Sequence, residues 1–203
     1  ALPPSVRSRN CASSAPRNRR RFSITFSRSA WRKFPRLSAS AGSGLTRPRR
    51  VLIWVSQDTV RADHLSLYGY PRPTSSAVDA RASQWVVFDD AVATAPWTLP
   101  SLVSQLTGRY PSRHAAVLDD QGRQAGQASL FQVLAASGFT VLGVTANRFV
   151  SSEFGTADGF DALTFTPSGA ADVSRLALRE LQDWPGGDLA LFVHYMDAHF
   201  PYQ

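Results

Sequence analysis

Apolar residues in this chain gather into short continuous runs separated by polar, helix-like stretches. Four runs read as strands: Val51 to Ser56, Trp85 to Phe88, Phe139 to Thr145 and Leu189 to Tyr195. Three of them are continuously apolar rather than alternating, the pattern of strands buried on both faces. Helical segments lie between them. Ser76 to Ser83 is short and weakly apolar, Thr98 to Thr107 stops at Gly108, and Leu130 to Ser137 stops at Gly138. Asp172 to Trp184 places Val173, Leu176, Ala177, Leu181 and Trp184 on one face before Pro185, Gly186 and Gly187 end it. Strands alternating with helices predict an α/β fold, a mostly parallel sheet sandwiched by helices.

Residues 1–50 carry no such pattern. They are Arg, Ser, Ala and Pro, with 13 Lys and Arg and no acidic residue. Self-repelling charge and little apolar surface predict a disordered head. An Arg- and Ser-rich, acid-poor segment fits a transit peptide. Phe22, Phe26, Trp31 and Phe34, interleaved with Arg28 and Arg32, fit a basic arm for nucleic acid or anionic lipid. A leader with no role is the third reading, and the simplest. The formal charge of +7 belongs to this head, because residues 51–203 hold 9 basic and 15 acidic groups, a net of −6. Nucleic acid is not the expected partner. The chain's one Cys, Cys11, lies in the head, which excludes a disulfide scaffold and a Cys-based zinc site. No run approaches the roughly 18 apolar residues of a membrane span, and no apolar run follows the basic residues as a secretory signal requires.

In parallel α/β sheets ligands bind beyond the carboxyl ends of the strands. The first strand is followed by Gln57, Asp58 and Thr59, the third by Ala146, Asn147 and Arg148, and the fourth by Met196, Asp197, Ala198 and His199. Carboxylate, amide, cation and imidazole are therefore expected to converge. The helix starting at Thr98 adds a hydroxyl at or near an N-cap, with Pro100 in the first turn. The positive end of the helix favours an alkoxide there, or an anion such as sulfate or phosphate. Of the other polar residues, Arg61 and Asp63 read as a local ion pair, His114 as a surface loop residue and His194 as a satisfied buried imidazole within a strand.

The segment Val51 to Leu65, with Asp58, Arg61 and Asp63 within it, is followed by Tyr68, Gly69 and Tyr70. Trp97, Thr98, Leu99, Pro100 and Ser101 precede Leu106 to His114, then come Phe154 with Gly155, Asp158 to Asp161, and His194 to Tyr202. In this order the motifs resemble the sulfatases of the alkaline phosphatase superfamily, over residues 51–203. The resemblance implies an alkaline-phosphatase-like catalytic domain that hydrolyses sulfate or phosphate esters of small molecules or glycans. It implies Asp58 as a metal ligand, Thr98 as the nucleophile and His199 as the histidine meeting the transferring group. The cofactor implied is a divalent metal ion, Ca²⁺ or Mg²⁺ by preference, Zn²⁺ or Mn²⁺ in the phosphate-processing branches. Asn147 or Arg148 would bind substrate in place of the family's Gly-Lys-x-His segment. Family habit also favours export to the periplasm or outside the cell.

Several positions depart from the family pattern. Thr98 stands where typical sulfatases carry the Cys or Ser that becomes formylglycine, and threonine cannot give that aldehyde. Leu102 replaces an Arg, and Gln57 replaces a second metal-binding Asp. A Thr nucleophile is similar to that of phosphodiesterases and phospho-group transferases, and a non-catalytic protein that binds anionic esters is a further reading. The resemblance also stops before the family's later metal ligands, so the chain is expected to be the first half of an incomplete domain and inactive alone.

Overall fold

A computed structural model describes residues 49–200, so the expectation for the basic head lies outside the described residues except for its last two positions. Four parallel strands form one sheet in the order β1-β4-β2-β3: β1 is Val51–Gln57, β2 Phe139–Thr145, β3 Ala162–Phe165 and β4 Asp188–Tyr195. The helices are α1 (Ser76–Asp79), α2 (Thr98–Thr107), α3 (Pro111–His114), α4 (Leu130–Ala136) and α5 (Ala170–Asp183). The α/β class and parallel sheet agree with the hydrophobic pattern. None of these helices is long and apolar enough to cross a membrane.

Two corrections apply to the elements. Trp85 to Phe88 is not a strand, for it follows a single 3-10 turn and leaves Trp85, Val86 and Phe88 more than half exposed. An apolar run becomes a strand only where a neighbouring edge accepts its backbone, and none of the described strands does. The remaining strand is instead β3, four residues long, held in register by Asp161. Asp161 N donates to Val141 O (2.8 Å) and its carboxylate accepts from Val141 N (2.8 Å). The helix predicted over Ser76 to Ser83 breaks into α1 and a separate 3-10 turn, Ala82–Gln84.

Both faces of the sheet are covered over β4 and β2. On one face Phe192, fully buried, meets Trp54 and Phe131 at 5.4 Å between ring centres, with Phe160 at 6.2 Å. Leu102 and Leu106 of α2 join this cluster. On the other face Val173 and Ala177 of α5 pack on Leu142, Val144, Leu189, Leu191 and Val193. α4 starts with a capping box, Ser129 Oγ accepting from Gln132 N and Gln132 Oε1 accepting from Ser129 N. Gly159 lies against the start of α4, where a Cβ would run into the Phe131 and Gln132 backbone.

β1 is an edge strand, as β3 is at the opposite end of the sheet. Its Val51, Ile53 and Val55 are each more than half exposed beside buried Leu189, Leu191 and Val193. Its first turn of chain is fixed by buried Asp188, which accepts from Arg50 N (2.8 Å), Nε (2.9 Å) and Nη2 (2.5 Å). Removing the carboxylate leaves the Arg50 backbone N–H and guanidinium without their shared acceptor. Asp188→Ala is therefore expected to lower unfolding stability by about 2–3 kcal/mol, read as a lower urea midpoint at unchanged slope.

Candidate active site

The carboxyl ends of β1, β2 and β4 meet the N-terminus of α2. Asp58 directly follows β1, and its backbone N–H continues the sheet by donating to Tyr195 O (3.0 Å). The next residue, Thr59, holds φ 58°, a left-handed conformation that a β-branched residue adopts only under strain. Two backbone carbonyls accept from its hydroxyl at 2.8 Å, those of Asp58 and Ala198. That contact ties the end of β1 to the loop carrying His199.

Thr98 is the first residue of α2 rather than its cap, which is Trp97. Its Oγ1 donates to Asp58 Oδ2 at 2.9 Å, across 40 residues of sequence. The hydroxyl is thereby turned toward the carboxylate and not onto its own helix. α2 is anchored by Leu99 and Val103, both fully buried, and ends at Gly108 with φ 66°. Its first-turn N–H groups have no partner within the helix, so the hydroxyl sits in a region of positive potential.

Asn147, at the end of β2, is buried and fully engaged. Its Nδ2 donates to Asp58 Oδ2 (3.1 Å) and lies 3.2 Å from Met196 Sδ, and its Oδ1 accepts from Phe149 N (2.8 Å). Arg148 is exposed and turned away, its guanidinium 4.7 Å from the Phe149 ring centre and 5.8 Å from that of Phe154. His199 lines the same cavity as Asp58 and Thr98, a space of about 560 Å³ open to solvent. Its Nδ1 donates to Phe200 O (2.6 Å), so the neutral ring keeps its lone pair on Nε2. A second cavity of about 470 Å³ beside Arg109 and Tyr110 has no acidic or imidazole group in its lining.

Two histidines stand differently from their sequence reading. His114 is not a surface residue. It is fully buried, its Nδ1 accepting from Ala116 N (3.1 Å) and its Nε2 within 2.9 Å of Ser104 Oγ and 3.1 Å of Pro100 O. Those bonds lock the loop after α2 against the helix that carries Thr98. His194 is buried, but it is not satisfied: Nδ1 has no partner, and Nε2 stands 3.8 Å from Asp58 Oδ2 at the cavity. A polar stretch after Arg113 hides the role of His114 and an apolar strand hides that of His194, since only the third dimension reveals what lies beside each ring.

Burial holds the pKa of both rings below the usual histidine range, against the opposing pull of the Pro100 carbonyl on His114 and the Asp58 charge on His194. As pH falls, the unfolded chain takes up these protons first, so stability is complete above about 6.5 and declines below it. Urea unfolding at pH 7.5 and 5.5 should give the lower midpoint at 5.5, with a smaller drop in His114→Gln.

Hard oxygen donors come together here, the Asp58 carboxylate and the Thr98 hydroxyl, a chemistry suited to Ca²⁺ or Mg²⁺. The set is partial. Among the described residues no group of three or more His, Cys, Asp or Glu is placed to hold a metal ion.

Residues 50–203 match the family model for Sulfatase. The chain belongs to the Sulfatase family. Over 50 residues it is 42% identical to "Putative transferase YhbX" of Escherichia coli (strain K12), a match covering 25% of this chain and 9% of that protein. Among solved structures it is similar to the C-terminal periplasmic domain of EcEptC from Escherichia coli in complex with Zn, with TM-score 0.60 and 22% identity, over 76% of this chain and 45% of that one. It is also similar to the phosphonate monoester hydrolase of Agrobacterium radiobacter, with TM-score 0.56 and 19% identity, over 76% of this chain and 42% of that one. The chain thus spans less than half the length of these relatives. The sulfatase-like sheet, with its strand ends gathered at one cavity, is this family's fold.

Proposed function

We propose that the chain supplies the nucleophile side of a metal-dependent enzyme that hydrolyses sulfuric or phosphoric esters. The carrying observation is the 2.9 Å hydrogen bond from Thr98 Oγ1 to Asp58 Oδ2 where β1 ends and α2 begins. A divalent cation held by Asp58 and Thr98 would lower the hydroxyl's pKa and neutralise the anionic group being transferred. Asp58 orients the hydroxyl and Asn147 fixes Asp58 from behind. The start of α2 offers N–H groups and positive potential to the substrate's anionic oxygens. His199, from the exposed side, accepts at Nε2 when neutral and donates there when protonated, the exchange a leaving oxygen requires.

The remaining ligands are expected from polypeptide docked along β1. Its exposed Val51, Ile53 and Val55 and its unpaired edge suit further strands of the same domain, and the solved relatives are more than twice as long as the region they share with this chain. Ca²⁺ takes about six to eight oxygens, more than Asp58 and Thr98 provide. The 203-residue chain alone is therefore expected to show no turnover. Metal-dependent hydrolysis by this chain, lost in Thr98→Ala, would contradict that. Export to the periplasm is the compartment we favour, since the EcEptC domain is periplasmic.

Transfer of a phospho-group to an acceptor is the second reading. A threonine at the nucleophile position cannot form formylglycine, and YhbX carries a transferase name. The test supplies the catalytically complete protein with an aryl sulfate and with an aryl phosphate diester, under Ca²⁺, Mg²⁺, Mn²⁺ or Zn²⁺. Turnover of either ester, abolished by chelation, supports the proposal. Binding of both esters with no turnover under any metal makes the protein a non-catalytic binder of anionic esters.

A further inference from the structure

His194 is a costly residue for its position. It interrupts the buried β4 sequence, 2% exposed, between Val193 and Tyr195, and its ring lies 6.0 Å from that of Phe192. Neither ring nitrogen has a hydrogen bond to another described residue, and Nδ1 is shut off from water. Leaving a buried polar atom unpaired is destabilising, and such an atom asks for a reason. The fold does not supply one, because an apolar side chain would fill the strand without it.

The ring's surroundings are asymmetric. Nδ1 faces the dry interior and Nε2 reaches the cavity beside Asp58. A lone pair left unpaired in a dry interior is tolerated better than an unpaired N–H. The proton therefore belongs on Nε2, aimed at the carboxylate. Asp58 Oδ2 already accepts from Thr98 Oγ1 and Asn147 Nδ2, and Nε2 waits at 3.8 Å, just outside bonding distance.

We propose that His194 is a positioning residue, a reserve donor whose Nε2–H closes onto Asp58 Oδ2 when the Thr98 hydroxyl turns away to react. The exchange keeps Oδ2 at two donors throughout. No bond to a heavy atom forms or breaks at His194, and its proton stays on the ring. The tautomer stands by itself, whereas the exchange rests on reading Asp58 and Thr98 as the reacting pair.

The test is long-range ¹H–¹⁵N NMR of the histidine rings in the ¹⁵N-labelled 203-residue chain at pH 7.5. His114, whose Nδ1 accepts from Ala116 N, reports in every variant that the body is folded. The expected result is a His194 ring protonated on Nε2. Thr98→Val removes one donor from Oδ2 and should move the Nε2–H proton downfield, and adding Asp58→Asn should reverse that shift. A ring protonated on Nδ1 overturns the tautomer, and an Nε2–H indifferent to both substitutions overturns the exchange. Neither failure touches the proposed ester chemistry, which is tested separately by turnover in the complete protein and by its loss in Thr98→Ala.

Discussion

Replacing Thr98 with alanine in the catalytically complete protein should cut ester turnover by roughly 10⁴-fold or more, the scale on which a nucleophile counts. The side chain is partly buried and touches Asp58, so the methyl group of alanine leaves the helix start intact while deleting the reacting oxygen. Thr98→Ser keeps the oxygen and should retain a measurable rate. The contrast separates chemistry from folding. If alanine and serine lost activity equally, the loss would trace to the missing γ-methyl group and not to the hydroxyl. Asp58→Asn should also depress turnover, with the added mark that raising the metal concentration does not restore it fully, because the orienting contact to Thr98 Oγ1 weakens along with metal binding.

Phe192→Ala should be the most damaging change to the fold. Phe192 is fully buried on the central strand β4 and joins Trp54 of β1, Phe131 of α4 and Phe160 into one aromatic cluster. Truncating such a ring costs about 3–5 kcal/mol through lost burial and the cavity left behind. Domains of this kind are stable by only about 5–15 kcal/mol, and β1 here lacks a neighbour on one side. Chemical denaturation should find the variant partly or wholly unfolded without denaturant, with Phe192→Leu intermediate. A midpoint unchanged from the parent would mean that the cluster is not the core.

These two residues also mark what the sequence makes legible. Phe192 lies in a continuous apolar run, and such runs predicted β1, β2 and β4 because burial on both faces leaves a direct trace in composition. The four-residue β3 left no such trace. Its exposure alternates little, and its place is fixed by Asp161 bonding to Val141, a contact between segments 20 residues apart. Trp85 to Phe88 carries the opposite lesson, apolar residues without a strand edge to join.

The site was legible as a list and not as a geometry. Asp58, Thr98 and Asn147 are adjacent because strand ends converge in a parallel sheet, and their hydrogen bonds cross 40 and 89 residues of chain. Sequence position made Thr98 a helix cap, while in the fold its hydroxyl bonds to Asp58. Asn147 and Arg148 read alike as polar loop residues, yet one is buried against Asp58 and the other lies over Phe149. His194 was invisible for a plainer reason. A histidine inside an apolar strand has the same sequence signature whether its nitrogens are satisfied or bare.

The central claim is that Thr98 Oγ1, held by Asp58, takes up the group removed from the ester. Mass spectrometry of the catalytically complete protein, quenched during turnover, tests it most directly. A phospho- or sulfo-adduct is expected on the peptide carrying Thr98, formed only with a divalent metal present and absent from Asp58→Asn. Full turnover with no adduct on that peptide, and unchanged rates in Thr98→Ala, would contradict it.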